Sequence, residues 1–190
     1  MKHLLCALLL LNSLLIFSQP KKNPDIFEEA YIVLLKGDTV RGAIKIPKNK
    51  KSELYQKISF KDKANKTRLY TPDKINGYGH NNYYYISAYH NDKSCFFKVL
   101  SKGKTSLFQI VFDEMNEGVS SELEEFCMME DNNSGQFKVI VTKGIKKQLK
   151  DIFKSNKALS QKIAEQKEIP FNAETLESYF NEFNQPAASN

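Results

Sequence analysis

The chain has 190 residues, 28 Lys+Arg against 22 Asp+Glu for a formal charge of +6, 41% hydrophobic residues, no Trp and three Cys. That is the length of one domain, and the composition excludes collagen-like, wholly disordered and disulfide-dense chains. A chain of this size buries roughly 70% of its unfolded surface, so its core needs neither a metal nor a disulfide.

Lys2 and His3 precede an apolar run from Leu4 to Phe17 that only Asn12 and Ser13 interrupt; the small Ser18 and the helix-stopping Pro20 follow. Charge, apolar run and small residue in that order read as a secretory signal peptide over residues 1–18. The run is shorter than the ~20 residues of a spanning helix, and no later segment approaches that length, so the mature chain is expected to lack a transmembrane span. Cys6 lies inside the run, near its start, and not after it, which argues against a lipid anchor. The expected destination is export, to the periplasm or beyond, with cleavage near Ser18. Residues 19–25 read as a linker.

Residues 26–142 read as β. Ala30 to Leu35 is an apolar run, Gly37-Asp38 a turn, and Val40 to Ile46 alternates in character, which predicts a hairpin. A short strand at Ile58 and Phe60 comes before a charged loop, Lys61 to Lys66, and Thr71-Pro72-Asp73 starts another turn. Strands are expected at Tyr83–Tyr89, Ser94–Leu100, Ser106–Phe112, Phe126–Met129 and Phe137–Thr142, filled with β-branched and aromatic residues. From 143 to 185 the period becomes helical. Ile145, Leu149, Ile152 and Phe153 share one face, Leu159 and Ile163 mark a second helix, and Asn172 caps a third carrying Leu176, Tyr179, Phe180 and Phe183. The tail 186–190 should fray. Strands followed by helices give an α+β fold: a curved antiparallel sheet, barrel- or sandwich-like, with two or three C-terminal helices on the same domain.

The combination of Lys36-Gly37-Asp38-Thr39-Val40-Arg41-Gly42, Tyr70-Thr71-Pro72-Asp73-Lys74-Ile75-Asn76-Gly77-Tyr78, Phe96-Phe97-Lys98-Val99-Leu100 and Gly103-Lys104-Thr105-Ser106-Leu107 resembles small exported proteins of unknown function found in Bacteroidota. Ser155-Asn156 departs from the Cys-Pro pair that such proteins often carry. The resemblance implies compartment and architecture and carries no activity with it.

Catalytic signatures are sparse. Nucleophilic catalysis needs a base, and after the signal only His80 and His90 remain. A turn at Asn91-Asp92 could bring His90 to Cys95, yet these residues read as an ordinary hairpin. Nucleophile-elbow, zinc-protease and phosphate-loop motifs are all missing, and Gly77-Tyr78-Gly79, without a third Gly or a following helix, reads as a turn. Asp113 to Glu124 imitates a calcium loop, but Met115 stands where an oxygen ligand is needed, so a solvated loop is expected there. His80, His90 and Asp92 lack zinc-like spacing, so no metal and no cofactor is expected. Cys95 and Cys127 read equally as a disulfide or as two buried thiols.

Two distributions remain. Lys21 to Arg68 carries 13 basic residues against 6 acids, and Asp113 to Gln136 carries 8 acids with no Lys or Arg. No nucleic-acid module accompanies this charge, and Lys-rich loops guarding strand edges explain it best. Six of nine tyrosines lie between Tyr70 and Tyr89. On a strand, Tyr83, Tyr85 and Tyr89 share one face, an aromatic row suited to sugar, lipid or protein contacts. The function expected is a non-enzymatic binding module of the cell envelope, with an envelope protein or glycan as partner. The alternative is an envelope enzyme, a hydrolase using His80 or His90.

Overall fold

The structure is a computed structural model that describes residues 25–116, 119–130 and 136–185. The apolar N-terminal run, Cys6, Ser18 and the tail 186–190 lie outside the described residues. The elements are β1 (Phe27–Leu34), β2 (Thr39–Lys45), α1 (Glu53–Gln56), β3 (Ile58–Asp62), β4 (Thr67–Tyr70), β5 (Ile75–His80), β6 (Tyr83–His90), β7 (Lys93–Ser101), β8 (Thr105–Asn116), β9 (Val119–Glu130), β10 (Lys138–Ile140), α2 (Ile145–Ile152), α3 (Lys157–Glu165) and α4 (Ala173–Asn184).

All ten strands join one sheet in the order β10-β9-β8-β7-β6-β5-β1-β2-β3-β4, and every pairing is antiparallel. No ladder joins β10 to β4, so the sheet is open and is not a closed barrel. Strands first and three helices last give the α+β class that the periodicities predict. Turn chemistry sets the register. Asn81-Asn82 and Asn91-Asp92 close two-residue hairpins with φ of 51, 64, 48 and 62°. Such turns need positive φ at both positions, which Asn and Asp tolerate best.

The sheet buries residues on both faces. On one, Ile32 pairs beside Tyr78 and Tyr78 beside Tyr85, and with Ile44, Ile58, Phe60 and Phe96 they form a closed apolar surface. The short helix α1 caps this surface, its Tyr55 ring meeting Tyr85 edge-on at 5.7 Å. Further along the same face, Leu107, Phe126, Met128 and Ile140 receive the C-terminal helices through Leu149, Phe153, Leu159, Ile163, Leu176 and Phe180. Two of those helices, α3 and α4, start where a side chain replaces a missing backbone partner. Asn156 accepts from the Leu159 N–H at 3.1 Å, and Asn172 from that of Thr175 at 2.9 Å. The last residue of α4, Asn184, donates to the Thr105 carbonyl (2.8 Å) and the Ser101 hydroxyl (3.1 Å) and accepts from Thr105 N–H (3.2 Å). Gly103 makes room for this latch, since a Cβ there would lie 2.4 Å from the Asn184 carboxamide carbon. The opposite face of β7–β9 carries Phe97, Phe108, Ile110 and Cys127, with Phe137 stacked on Phe97 at 4.4 Å.

Three expectations change. Gly77-Tyr78-Gly79, expected as a turn, lies inside β5, because the Tyr31 ring occupies the space a side chain at Gly79 would need. Residues 67–70 and 53–56, for which no element is expected, form β4 and α1, each only four residues long and too short to show a period. The acidic segment after Phe112, expected as a solvated loop, is strand on both sides of residues 117–118, which lie outside the described residues: β8 runs to Asn116 and β9 starts at Val119. Its acids are put to use: the Ser52 hydroxyl donates to Asp113 (2.8 Å), the Ser52 N–H to Glu122 (2.7 Å), and Lys50 pairs with Asp113 (3.2 Å). Part of the basic N-terminal half therefore meets the acidic hairpin within the molecule.

The Ser52 hydroxyl and then Lys50 hold the Asp113 carboxyl below its ordinary range. A carboxyl with a depressed folded pKa stabilises the fold above its unfolded pKa, and that contribution is lost as pH falls through the folded value. Thermal unfolding followed by circular dichroism should thus show the midpoint falling between about pH 5 and pH 3. Asp113→Asn should flatten that part of the profile; an unchanged slope in the variant would show that Asp113 does not carry it.

Candidate binding site

The eight residues of β6 alternate as the sequence requires: Tyr83, Tyr85 and Tyr89 share a face, with Tyr85 opposite Lys98 and Tyr89 opposite Ser94. Their exposures separate them. Tyr85 is 6% exposed, stacked on Tyr78 at 4.4 Å, and burial pushes its phenol up to about 12. Tyr89 is 73% exposed. Tyr83 is half-buried, with the Lys98 ammonium 3.5 Å from its ring centroid. The three do not form one exposed row: the sheet pulls the middle ring into the core beneath α1.

Tyr83 instead stands between two depressions. One is a cleft of about 800 Å³ opening over the ends of β1, β2, β5 and β6. Its walls carry Glu28, Tyr31, Arg41, His80, Tyr83 and Tyr84, with Asn81 and Asn82 at the turn. Tyr31 and Tyr84 lie nearly parallel, 6.4 Å apart, over the side-chain-free backbone of Gly77 and Gly79. His80 is almost fully buried, and its Nε2 lies 2.8 Å from Glu28 Oε2 at the cleft wall. The second depression is a groove of about 400 Å³ between Tyr83, Lys98 and α4, lined with Glu174 and Glu177. Burial lowers the Lys98 pKa, and Glu177 and Glu124 partly restore it.

The two histidines do not share a site. His80 pairs across the turn with Tyr83 at the start of β6, whereas His90 ends that strand, ~23 Å away at 3.3 Å per residue. Nor does His90 meet Cys95, whose thiol points to the Lys93 carbonyl at 3.7 Å. His90 meets Glu125 of β9 instead, Nε2 to Oε1 at 3.4 Å, and the Cys127 thiol lies 4.0 Å from the same oxygen. Cys127 is fully buried, and desolvation followed by Glu125 pushes its thiol up to about 12, the reverse of an activated nucleophile. Cys95 and Cys127 are both free thiols, on β7 and β9 with β8 between them. Of the two readings open for them in the sequence, the structure holds the unbonded one.

Sequence reasoning missed Tyr31, Glu28 and Arg41 because β1 and β2 give no sign of lying beside Tyr84. The Gly-x-Gly spacing of Gly77 and Gly79, flanking the tyrosine-rich stretch, was the available signal for ring-over-backbone packing. Among the described residues no helix is long and apolar enough to cross a membrane. Comparison with protein-family models, curated proteins and solved structures finds no match for this chain.

The differing exposures make a stability prediction. Tyr85→Ala should cost about 3 kcal/mol or more in urea unfolding, as for other large buried aromatics. Tyr89→Ala should stay within about 0.5 kcal/mol. Similar losses in both variants would contradict this placement.

Proposed function

We propose that the protein is an exported, non-enzymatic binding module of the cell envelope whose ligand is a glycan. The observation that supports this most is the cleft over the β1–β2–β5–β6 ends. Tyrosine faces offer apolar contact for the C–H faces of sugar rings. Arg41, Glu28, Asn81 and Asn82 supply the donors and acceptors that hydroxyl groups require. Two left-handed asparagines fix the rim in place, so little order has to be gained on binding. The signal-like N-terminus and the resemblance to exported Bacteroidota proteins support the compartment. The 3.4 Å contact between His90 and Glu125, three strands apart in the sheet, supports a sheet that coils strongly enough to be barrel-like without closing.

One observation favours a second reading, a hydrolase. His80 and Glu28 form an imidazole–carboxylate couple at the cleft wall, an arrangement able to activate water. Among the described residues that line the cleft none is Ser, Thr or Cys, so such a hydrolase would use activated water and not a protein nucleophile.

The test is an NMR titration of the purified protein with defined peptidoglycan and capsular oligosaccharides. Shifts should concentrate on residues 79–84 and on Tyr31, and Tyr84→Ala should weaken binding about tenfold, or 1.4 kcal/mol. Release of new reducing ends, abolished in His80→Gln, would establish the hydrolase instead. Shifts confined to Tyr89 and the exposed strand edges would overturn the cleft assignment.

A further inference from the structure

His90, Glu125 and Cys127 come from strands separated by β7 and β8, yet their ligand atoms all lie within 4.8 Å of one another. We infer that these three side chains form a binding site for a single divalent transition-metal ion, with zinc the best fit, distinct from the cleft and independent of its function.

Geometry comes first. Zinc–nitrogen and zinc–oxygen bonds of ~2.0 Å set at the tetrahedral angle hold their two ligand atoms ~3.3 Å apart. The His90 nitrogen and Glu125 oxygen stand 3.4 Å apart. The sulfur stands 4.0 Å from that oxygen, against ~3.5 Å for a thiolate and a carboxylate on one zinc, and with all three atoms within 4.8 Å the side chains draw inward to meet the ion. Glu125 and Cys127 are two apart on β9 and therefore point to the same face of the sheet. The third ligand is the last residue of β6, held by the Asn91-Asp92 turn.

Charge and surroundings point the same way. The neighbours are apolar: the His90 ring packs 6.0 Å from Phe97 and 6.2 Å from Phe112, and Glu125 pairs across the ladder with buried Ile110. The side chains of His90 and Glu125 are 12% and 21% exposed. A carboxylate held in such surroundings is costly unless its charge is balanced. A neutral imidazole, a carboxylate and a thiolate sum to −2, so a divalent ion makes the site neutral as a whole. Binding releases the Cys127 thiol proton to solvent, and the ion takes its place between sulfur and carboxylate oxygen. Nitrogen, oxygen and sulfur together favour zinc over magnesium or calcium, which take oxygen ligands alone. The Asn91 carboxamide nitrogen, 3.1 Å from His90 Nε2, must give up that contact for the nitrogen to bind the ion. An ion here would tie the β6–β7 turn to β9 across the sheet.

The experiment uses the purified chain, stripped with a chelator under reducing conditions and titrated with Zn²⁺ by calorimetry and with Co²⁺ by absorption. One equivalent of zinc should bind and raise the unfolding temperature, and cobalt should show a thiolate charge-transfer band with d–d bands of tetrahedral intensity. Cys127→Ser should remove the charge-transfer band, and Glu125→Gln should weaken zinc at least ~100-fold while leaving the band in place. Cys95→Ser should change nothing. Absence of stoichiometric zinc binding, or a charge-transfer band that survives in Cys127→Ser, would overturn the assignment. Should Cys127→Ser fail to fold, Glu125→Gln and His90→Gln decide it, since unaltered zinc affinity in both would equally sink the site.

Discussion

Five consecutive residues of β8, Leu107 to Val111, are buried, and the rest of the architecture depends on this. Successive strand residues point to opposite faces, so a strand buried without interruption must be covered on both sides. On one side the cover is α1 and the C-terminal helices; on the other it includes Phe137 stacked over Phe97. A one-residue slip of β8 would exchange Leu107 with Phe108 and place Gln109, the partner of the Tyr55 hydroxyl, against the wrong core. The register is therefore held from both faces at once. That rigidity lets distant side chains such as Asn184 and Ser101, or His90 and Glu125, find each other.

Burial on both sides also decides where a ligand can go. Two depressions lie at the margins of this packing, the cleft over the ends of β1, β2, β5 and β6 and the groove beside α4. Tyr83 lines both, and Lys98 lies over its ring between them. The same constraint separates Tyr85 from Tyr83 and Tyr89 in exposure although all three share a face.

Much of the fold was legible because its signals are local. Leu149, Phe153, Leu159, Ile163, Leu176 and Phe180 fall at helical spacing, and all six are buried beneath the helices. The turns at Gly37-Asp38 and Asn91-Asp92 stand where their chemistry puts them. What escaped depends on partners far along the chain. Gly77-Tyr78-Gly79 is a strand because of Tyr31, some 46 residues earlier. Asp113 and Glu122 are strand residues because α1 needs acids to receive Ser52 and Lys50, and a run of acids on its own reads as a solvated loop. Nearness in sequence offers His90 only the far side of its own hairpin, while the sheet brings it Glu125 and Cys127 from three strands away.

The two histidines show how strictly local rules place side chains once the register is held. Each is the last residue of a strand before a two-residue left-handed turn, His80 before Asn81-Asn82 and His90 before Asn91-Asp92. Each also meets a glutamate from a strand that is not its hairpin partner, Glu28 or Glu125. Pairing across the first turn puts His80 on the face of Tyr83, and His90 lies seven positions, an odd number, after Tyr83. With a side-chain period of two, the histidines must fall on opposite faces and at opposite ends of β6. At its end His80 lines the polar cleft, while His90 at the other end meets Phe97, Phe112 and the Cys127 thiol. Had β6 been one residue shorter, both imidazoles would have shared a face, and His90 would have pointed away from Phe97 and Glu125.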